Sequence, residues 1–167
     1  MSIQSSHIFV NLPVKNLEKS VSFFKQLGFE FENNMTNDDG AALIIGPTSY
    51  VMLLTEAYFK GFTKKEIADT SSQREVILTI SAPSKEKVDE LISLALTAGA
   101  QPANENVDDE FMYYGSFIDL DGHMWEVLYM QEIYMRSIER SIRKNTLRML
   151  LKCNRRNVFQ GSFAKSS

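Results

Sequence analysis

The order strand, helix, then three short strands occurs twice in this chain, and that internal repeat limits the possible folds more than any other feature. In the first half, Ile8, Val10, Leu12 and Val14 alternate with His7, Phe9, Asn11 and Pro13, the period of a strand with one apolar face. Asn16 then stands as an N-cap before Leu17, Val21, Phe24 and Leu27, apolar at helical spacing, with Gly28 as a left-handed stop. Strands are expected at 30–33, 41–45 and 50–54, separated by the turn signals Asn37-Asp-Asp-Gly and Gly46-Pro-Thr-Ser.

The second half replays this order. A strand at 75–81 sets Val76, Leu78 and Ile80 opposite Glu75, Ile77, Thr79 and Ser81. Ser84 caps a helix with Val88, Leu91, Ile92, Ala95 and Ala98 on its apolar positions, ending at Gly99. Strands are expected near 101–104, 112–119 and 124–129. One helix on a small sheet cannot bury both of its faces, so the halves must pack together or against another chain. The expected class is α+β, with two βαβββ modules at about 7–55 and 75–130.

Composition narrows the function classes. The chain has 167 residues, 44% hydrophobic, enough for one core or two small modules sharing one. No stretch approaches the roughly 20 apolar residues of a membrane-spanning helix, and Met-Ser-Ile-Gln-Ser-Ser has no secretory signature, so the cytoplasm is the expected location. The single cysteine, Cys153, excludes an internal disulfide and a cysteine-rich metal site.

The net charge of -3 conceals an asymmetry. Residues 1–130 hold 9 Lys/Arg against 19 Asp/Glu, whereas residues 131–167 hold 9 against 2. A body that acidic argues against nucleic acid as its ligand. In the tail, Tyr134, Ile138 and Ile142 recur at i, i+4 with Arg136, Arg140, Arg143 and Lys144 interleaved, predicting a basic amphipathic helix to about Lys152. From Asn157 to Ser167 there is no period, and this end is expected to be loose. Docking on the acidic body, a poorly ordered appendage, and binding to an anionic membrane or RNA all stand as readings of the tail. The linker 56–74 contains Thr63-Lys-Lys-Glu66, which fits a capping box, and reads either as a connection with one helical turn or as a lid over a cleft.

Two segments carry chemistry. The first is Val10-Asn-Leu-Pro-Val-Lys-Asn-Leu-Glu-Lys-Ser-Val-Ser-Phe-Phe-Lys-Gln-Leu-Gly28; the second is Phe117-Ile-Asp-Leu-Asp-Gly-His-Met-Trp-Glu-Val-Leu-Tyr129. In this order they resemble the signatures of the vicinal oxygen chelate superfamily: glyoxalases, bleomycin and fosfomycin resistance proteins, and extradiol dioxygenases. The resemblance covers roughly residues 7–130. It implies that the modules form a curved mixed sheet around a cleft, that modules pair within or between chains, and that a homodimer is the expected assembly.

Carried over by position, the family's four metal ligands fall on Phe9, Met52, Glu75 and Glu126. Only the two glutamates can ligate. Carboxylates and water alone suit a hydrated, weakly held ion such as magnesium or manganese, so no cofactor is firmly implied. His7 shares the face of Phe9 but lies two residues, roughly 6 to 7 Å, away and is the remote further metal candidate. Without metal, Glu75 and Glu126 could act as a carboxylate pair in proton transfer. Against that, Glu75 can simply begin a strand and pair with a basic neighbour such as Arg74. Glu126, between Trp125 and Val127, would be costly to bury without a purpose.

His123, in the Asp-Gly-His turn, reads as a structural turn residue. Asn11, Thr79 and Tyr113 supply polar tips around a floor of Phe9, Met52 and Ile77, a pattern suited to a small organic ligand. Two functions from different classes follow: a binding protein with an apolar cleft and no complete catalytic metal site, or a divalent-metal-dependent lyase or dioxygenase of the same superfamily. Lactoylglutathione lyase activity is disfavoured, because that reaction needs a metal to polarise the carbonyl beside which a proton moves.

Overall fold

The computed structural model describes residues 5–134, 136, 137 and 140. By its internal contacts the chain divides into two units, 1–129 and 130–167. In the second, residues 132–134 are helical, and Glu132 and Arg136 pair at 2.9 Å one turn apart. The rest of the expected basic helix and the loose end 157–167 lie outside the described residues. No helix among the described residues is long and apolar enough to cross a membrane.

The first unit holds the two repeats. In the first module, β1 (Ile8–Val14) leads into α1 (Leu17–Gln26), β2 (Phe31–Glu32), β3 (Gly40–Gly46) and β4 (Ser49–Thr55). The linker opens with α2 (Glu56–Phe59). In the second module, β5 (Ile77–Ser81) leads into α3 (Lys85–Thr97), β6 (Gln101–Pro102), β7 (Val107–Asp108), β8 (Met112–Ile118) and β9 (Met124–Met130). The sheets have the same order, β1-β4-β3-β2 and β5-β9-β8-β6, each with its first and last strands parallel. β7 is an extra short strand on β8.

Both helices start and stop on the expected chemistry. Asn16 Oδ1 accepts the Lys19 N–H at 2.9 Å and Ser84 Oγ accepts that of Lys87 at 3.3 Å, each taking one of the donors a helix start leaves unpaired. Gly28 (φ +90°) and Gly99 (φ +107°) occupy matching positions past the helix ends. The linker departs from expectation. Its helix begins at Thr55, whose Oγ1 accepts the Tyr58 N–H at 3.3 Å, while Thr63 only accepts from Lys65 N in a local turn. The capping box at 63–66 caps no helix.

One core joins the modules. Leu12, Val14, Leu43, Val51 and Leu53 of the first sheet and Leu78, Phe117, Trp125 and Val127 of the second are buried in a single cluster. α1 lies against both: Phe24 meets Trp125 at 5.0 Å between ring centroids, and Phe23 meets Phe117 at 6.2 Å. Burying each such ring contributes about 2–3 kcal/mol. The apolar faces of both sheets therefore point into one helical layer. Their other faces, carrying Phe9 and Asn11 on β1 and Ile77 and Thr79 on β5, stay open.

Candidate functional site

The Asp119-Leu-Asp-Gly-His123 turn holds the modules together. Burial pushes the Asp119 carboxyl up from its ordinary value, against the pull of His123 and of donors from Trp125, His123 and Asp121. Asp119 Oδ1 accepts the N–H groups of Asp121 (3.0 Å) and His123 (2.9 Å), and its Oδ2 accepts the Trp125 indole N–H (2.9 Å), which shapes the turn from within. Asp121 faces the other module. Its carboxylate accepts the Lys15 backbone N–H at 2.8 Å and the Ser20 hydroxyl at 2.6 Å.

His123 is 1% exposed and uses both ring nitrogens. Nε2 lies 2.8 Å from the Pro13 carbonyl and Nδ1 lies 2.5 Å from Glu75 Oε1. A carbonyl only accepts, so Nε2 is the donor of that bond. Glu75 is thus the partner of a histidine rather than of Arg74, and it precedes β5 rather than beginning it. Arg74 Nη1 instead donates to Gly122 O at 2.5 Å, and the Thr70 hydroxyl donates to Asp121 O at 2.7 Å. The linker residues Lys60, Glu66, Asp69 and Thr70 wall a cavity of about 270 Å³ beside Pro13 and His123.

At the opposite end, Ile45 of β3 and Ile80 and Ala82 of the second module share the wall of a cavity of about 240 Å³. Ile8 N donates to Thr48 O beside that end. Through His123, Pro13 of β1 and Glu75, just ahead of β5, are held at one end of the module boundary.

Of the expected binding residues, Phe9, Asn11 and Met52 face outward on the first sheet, and Ile77 and Thr79 on the second. Phe9 lies opposite Tyr50, and Asn11 opposite Met52, across the β1–β4 pair. Phe9 and Ile77 are 45% and 48% exposed, large values for apolar side chains on a strand. Across the β5–β9 pair Thr79 lies opposite Glu126, and its hydroxyl donates to Glu126 Oε2 at 2.8 Å. Glu126 is half-buried on the open face, so the cost of sealing it in the apolar core does not arise. The rings of His7, Phe9 and Tyr50 lie within 21° of parallel, with centroids 5.1–6.4 Å apart.

Tyr113 is the correction. It packs against the core, and its hydroxyl donates to Asp89 of α3 at 2.6 Å, which raises the phenol's pKa. It shares the parity of Gly115 and Phe117, which face α3 and the core, so the outward tyrosine of β8 is Tyr114. Sequence reasoning also passed over Tyr50, Ser20 and Asp121. Tyr50 was signalled by its two-residue spacing from Met52; the other two carried no local signal.

The donors do not fit the metal set that the resemblance implies. Glu75 is turned to His123, and Glu126 is held by Thr79, four residues from Glu75 or on the order of 13 Å of extended chain. Phe9 and Met52 offer no suitable ligand, and His7 Nδ1 is hydrogen-bonded to Ser6 Oγ at 3.0 Å. Among the described residues no three His, Cys, Asp or Glu side chains come together in a metal-holding group. The same separation keeps Glu75 and Glu126 from acting as a carboxylate pair.

Residues 7–46 match the bleomycin resistance protein-like N-terminal family. Among solved structures, the chain is similar to the hypothetical protein SA1046 from S. aureus, with 29% identity over 77% of this chain and 95% of that one and a TM-score of 0.65. It shares its fold with a glyoxalase/bleomycin resistance protein/dioxygenase family enzyme from Burkholderia phytofirmans PsJN (19% identity, 74% and 97% covered, TM-score 0.61). A glyoxalase-related enzyme from Fulvimarina pelagi has the fold as well (17% identity, 76% and 88% covered, TM-score 0.63). No curated protein matches the chain. The first module thus matches the bleomycin resistance protein-like N-terminal family, and the two βαβββ modules together have the fold of these glyoxalase/bleomycin resistance protein/dioxygenase structures.

Proposed function

We propose that this protein binds a small organic ligand on the open face of its paired sheets, over Phe9, Asn11, Met52, Ile77, Thr79 and Glu126. The observation that carries this reading is that two large apolar side chains on the outward faces of the two sheets, Phe9 and Ile77, are left exposed. Exposed apolar area of that kind marks sites that exclude water when filled. Asn11, Thr79 and Glu126 add the few polar groups that orient a ligand. The metal-dependent lyase or dioxygenase reading would require Glu75 to leave His123, and elemental analysis of chelator-free protein separates the two. About one tightly held transition ion per chain would favour the enzyme.

The binding reading is tested with nile red, an uncharged apolar dye whose fluorescence rises on leaving water. Wild type should enhance it, and Phe9→Ala and Ile77→Glu should each cut the enhancement severalfold with melting temperatures within a few degrees of wild type. Undiminished enhancement in both variants would move the binding site elsewhere.

A further inference from the structure

The cavity beside Pro13 and His123 is walled by an irregular segment that is nevertheless held in place. Residues 63–76 form no helix or strand, and a stretch of that length inside an ordered unit is characteristic of functional loops. The Thr70 hydroxyl donates to Asp121 O and Arg74 donates to Gly122 O, which ties the linker to the last hairpin of the second module. The linker thereby encloses about 270 Å³ over the buried Asp121 and His123. That space equals the share of roughly nine water molecules in the liquid.

Most of the charge around this cavity is already spent. Asp121 accepts from Lys15 N and the Ser20 hydroxyl, His123 uses both ring nitrogens, and Asp69 accepts from Ser71 N and from the hydroxyls of Ser71 and Ser72. Lys60 and Glu66 approach each other at 3.9 Å. Two opposite charges are left. Among the described residues, neither the Lys15 ammonium nor the Glu56 carboxylate makes a hydrogen bond or an ion pair. They follow Val14 and Thr55, which are paired across β1 and β4, so both side chains start from adjacent strand ends and both line the cavity. Pro13, Ile67 and Ala68 supply the apolar part of its lining.

We propose that this cavity is a second binding site whose ligand is a free α-amino acid with a small apolar side chain. The ligand carboxylate meets Lys15, its ammonium meets Glu56, and its side chain lies against Pro13 and Ile67. A plain acid or a plain amine would displace water from both protein charges and compensate only one of them. A zwitterion compensates both. This site is separate from the outward sheet faces and stands whether or not they bind a ligand.

The test is an NMR titration of the isotope-labelled full chain with leucine, with isocaproate, which lacks the ammonium, and with isoamylamine, which lacks the carboxylate. Leucine should shift the amides of Lys15, Thr70 and Gly122. It should bind about fivefold more tightly than either analogue, the size of one partly exposed charge contact. Lys15→Met should bring leucine down to the affinity of the amine and Glu56→Gln to that of the acid, whereas Lys15→Arg should keep the preference. Both positions are exposed, so melting temperatures should stay within a few degrees of wild type. An analogue that binds wild type as tightly as leucine, or a preference that survives Lys15→Met or Glu56→Gln, overturns the ligand class. Leucine shifts confined to other parts of the chain, or no shifts at all, overturn the site itself.

Discussion

His123 donates from Nε2 to the main-chain carbonyl of Pro13 at 2.8 Å, so a side chain in the last hairpin of one module holds the end of the first strand of the other. The same ring meets Glu75, making one buried histidine the junction of β1, the β8–β9 turn and the approach to β5.

Replacing His123 with Ala should cost about 3 kcal/mol, because it empties a buried site and leaves the part-buried Pro13 carbonyl and the Glu75 carboxyl without their ring partner. Urea unfolding measures it. Glu75→Gln, which keeps an acceptor for the ring, should cost less than half as much. Equal costs would show that the charge rather than the hydrogen bond matters.

Asp121 is expected to act as an acceptor for two groups of the other module. Asp121→Ala should destabilise by about 2 kcal/mol. Asp121→Asn, which still accepts from Lys15 N, should lose clearly less in the same urea experiment.

The raised Asp119 carboxyl makes a signed prediction. Its folded value lies above its unfolded one, so between them the folded state binds more protons and stability from this group falls as pH rises. Asp119→Asn lacks that titration. The stability of wild type minus that of Asp119→Asn should therefore decrease from the ordinary aspartate range up through the raised value and level off above it. A difference that grows over that range contradicts the assignment.

Phenylalanines on opposite faces should behave oppositely. Phe24→Ala empties a site between α1 and Trp125 and should cost about 3–5 kcal/mol. Phe9→Ala, at an exposed position, should cost under about 1 kcal/mol. A large loss for Phe9 would make it a structural residue and weaken its place in the binding surface.

Gly122 adopts φ +92°, and a Cβ there would meet Thr70 Oγ1 at 2.3 Å. Gly122→Ala should therefore lower stability through both backbone strain and loss of the Thr70 contact. Combining it with Thr70→Ala, which removes the Oγ1 that the new Cβ would strike, should leave the strain and relieve part of the clash, seen as a partial recovery of melting temperature.

The amino-acid order alone determined the repeat, both helices with their caps and stops, and the inward and outward faces of β1 and β5, because these rest on local periodicity and on side chains reaching backbone a few residues away. It missed the linker's helix start, since Thr55 and Thr63 both offer a capping oxygen and only the preceding strand selects Thr55. Only tertiary structure decided what Glu75, Asp121, Ser20 and Tyr113 do. Their defining partners lie 24 to 106 residues away along the chain, and no local pattern encodes a contact of that span. Glu75 illustrates the difference: the alternation gave it an outward face as though β5 began there, yet the strand starts two residues later, and a buried histidine 48 residues further on takes its carboxylate first.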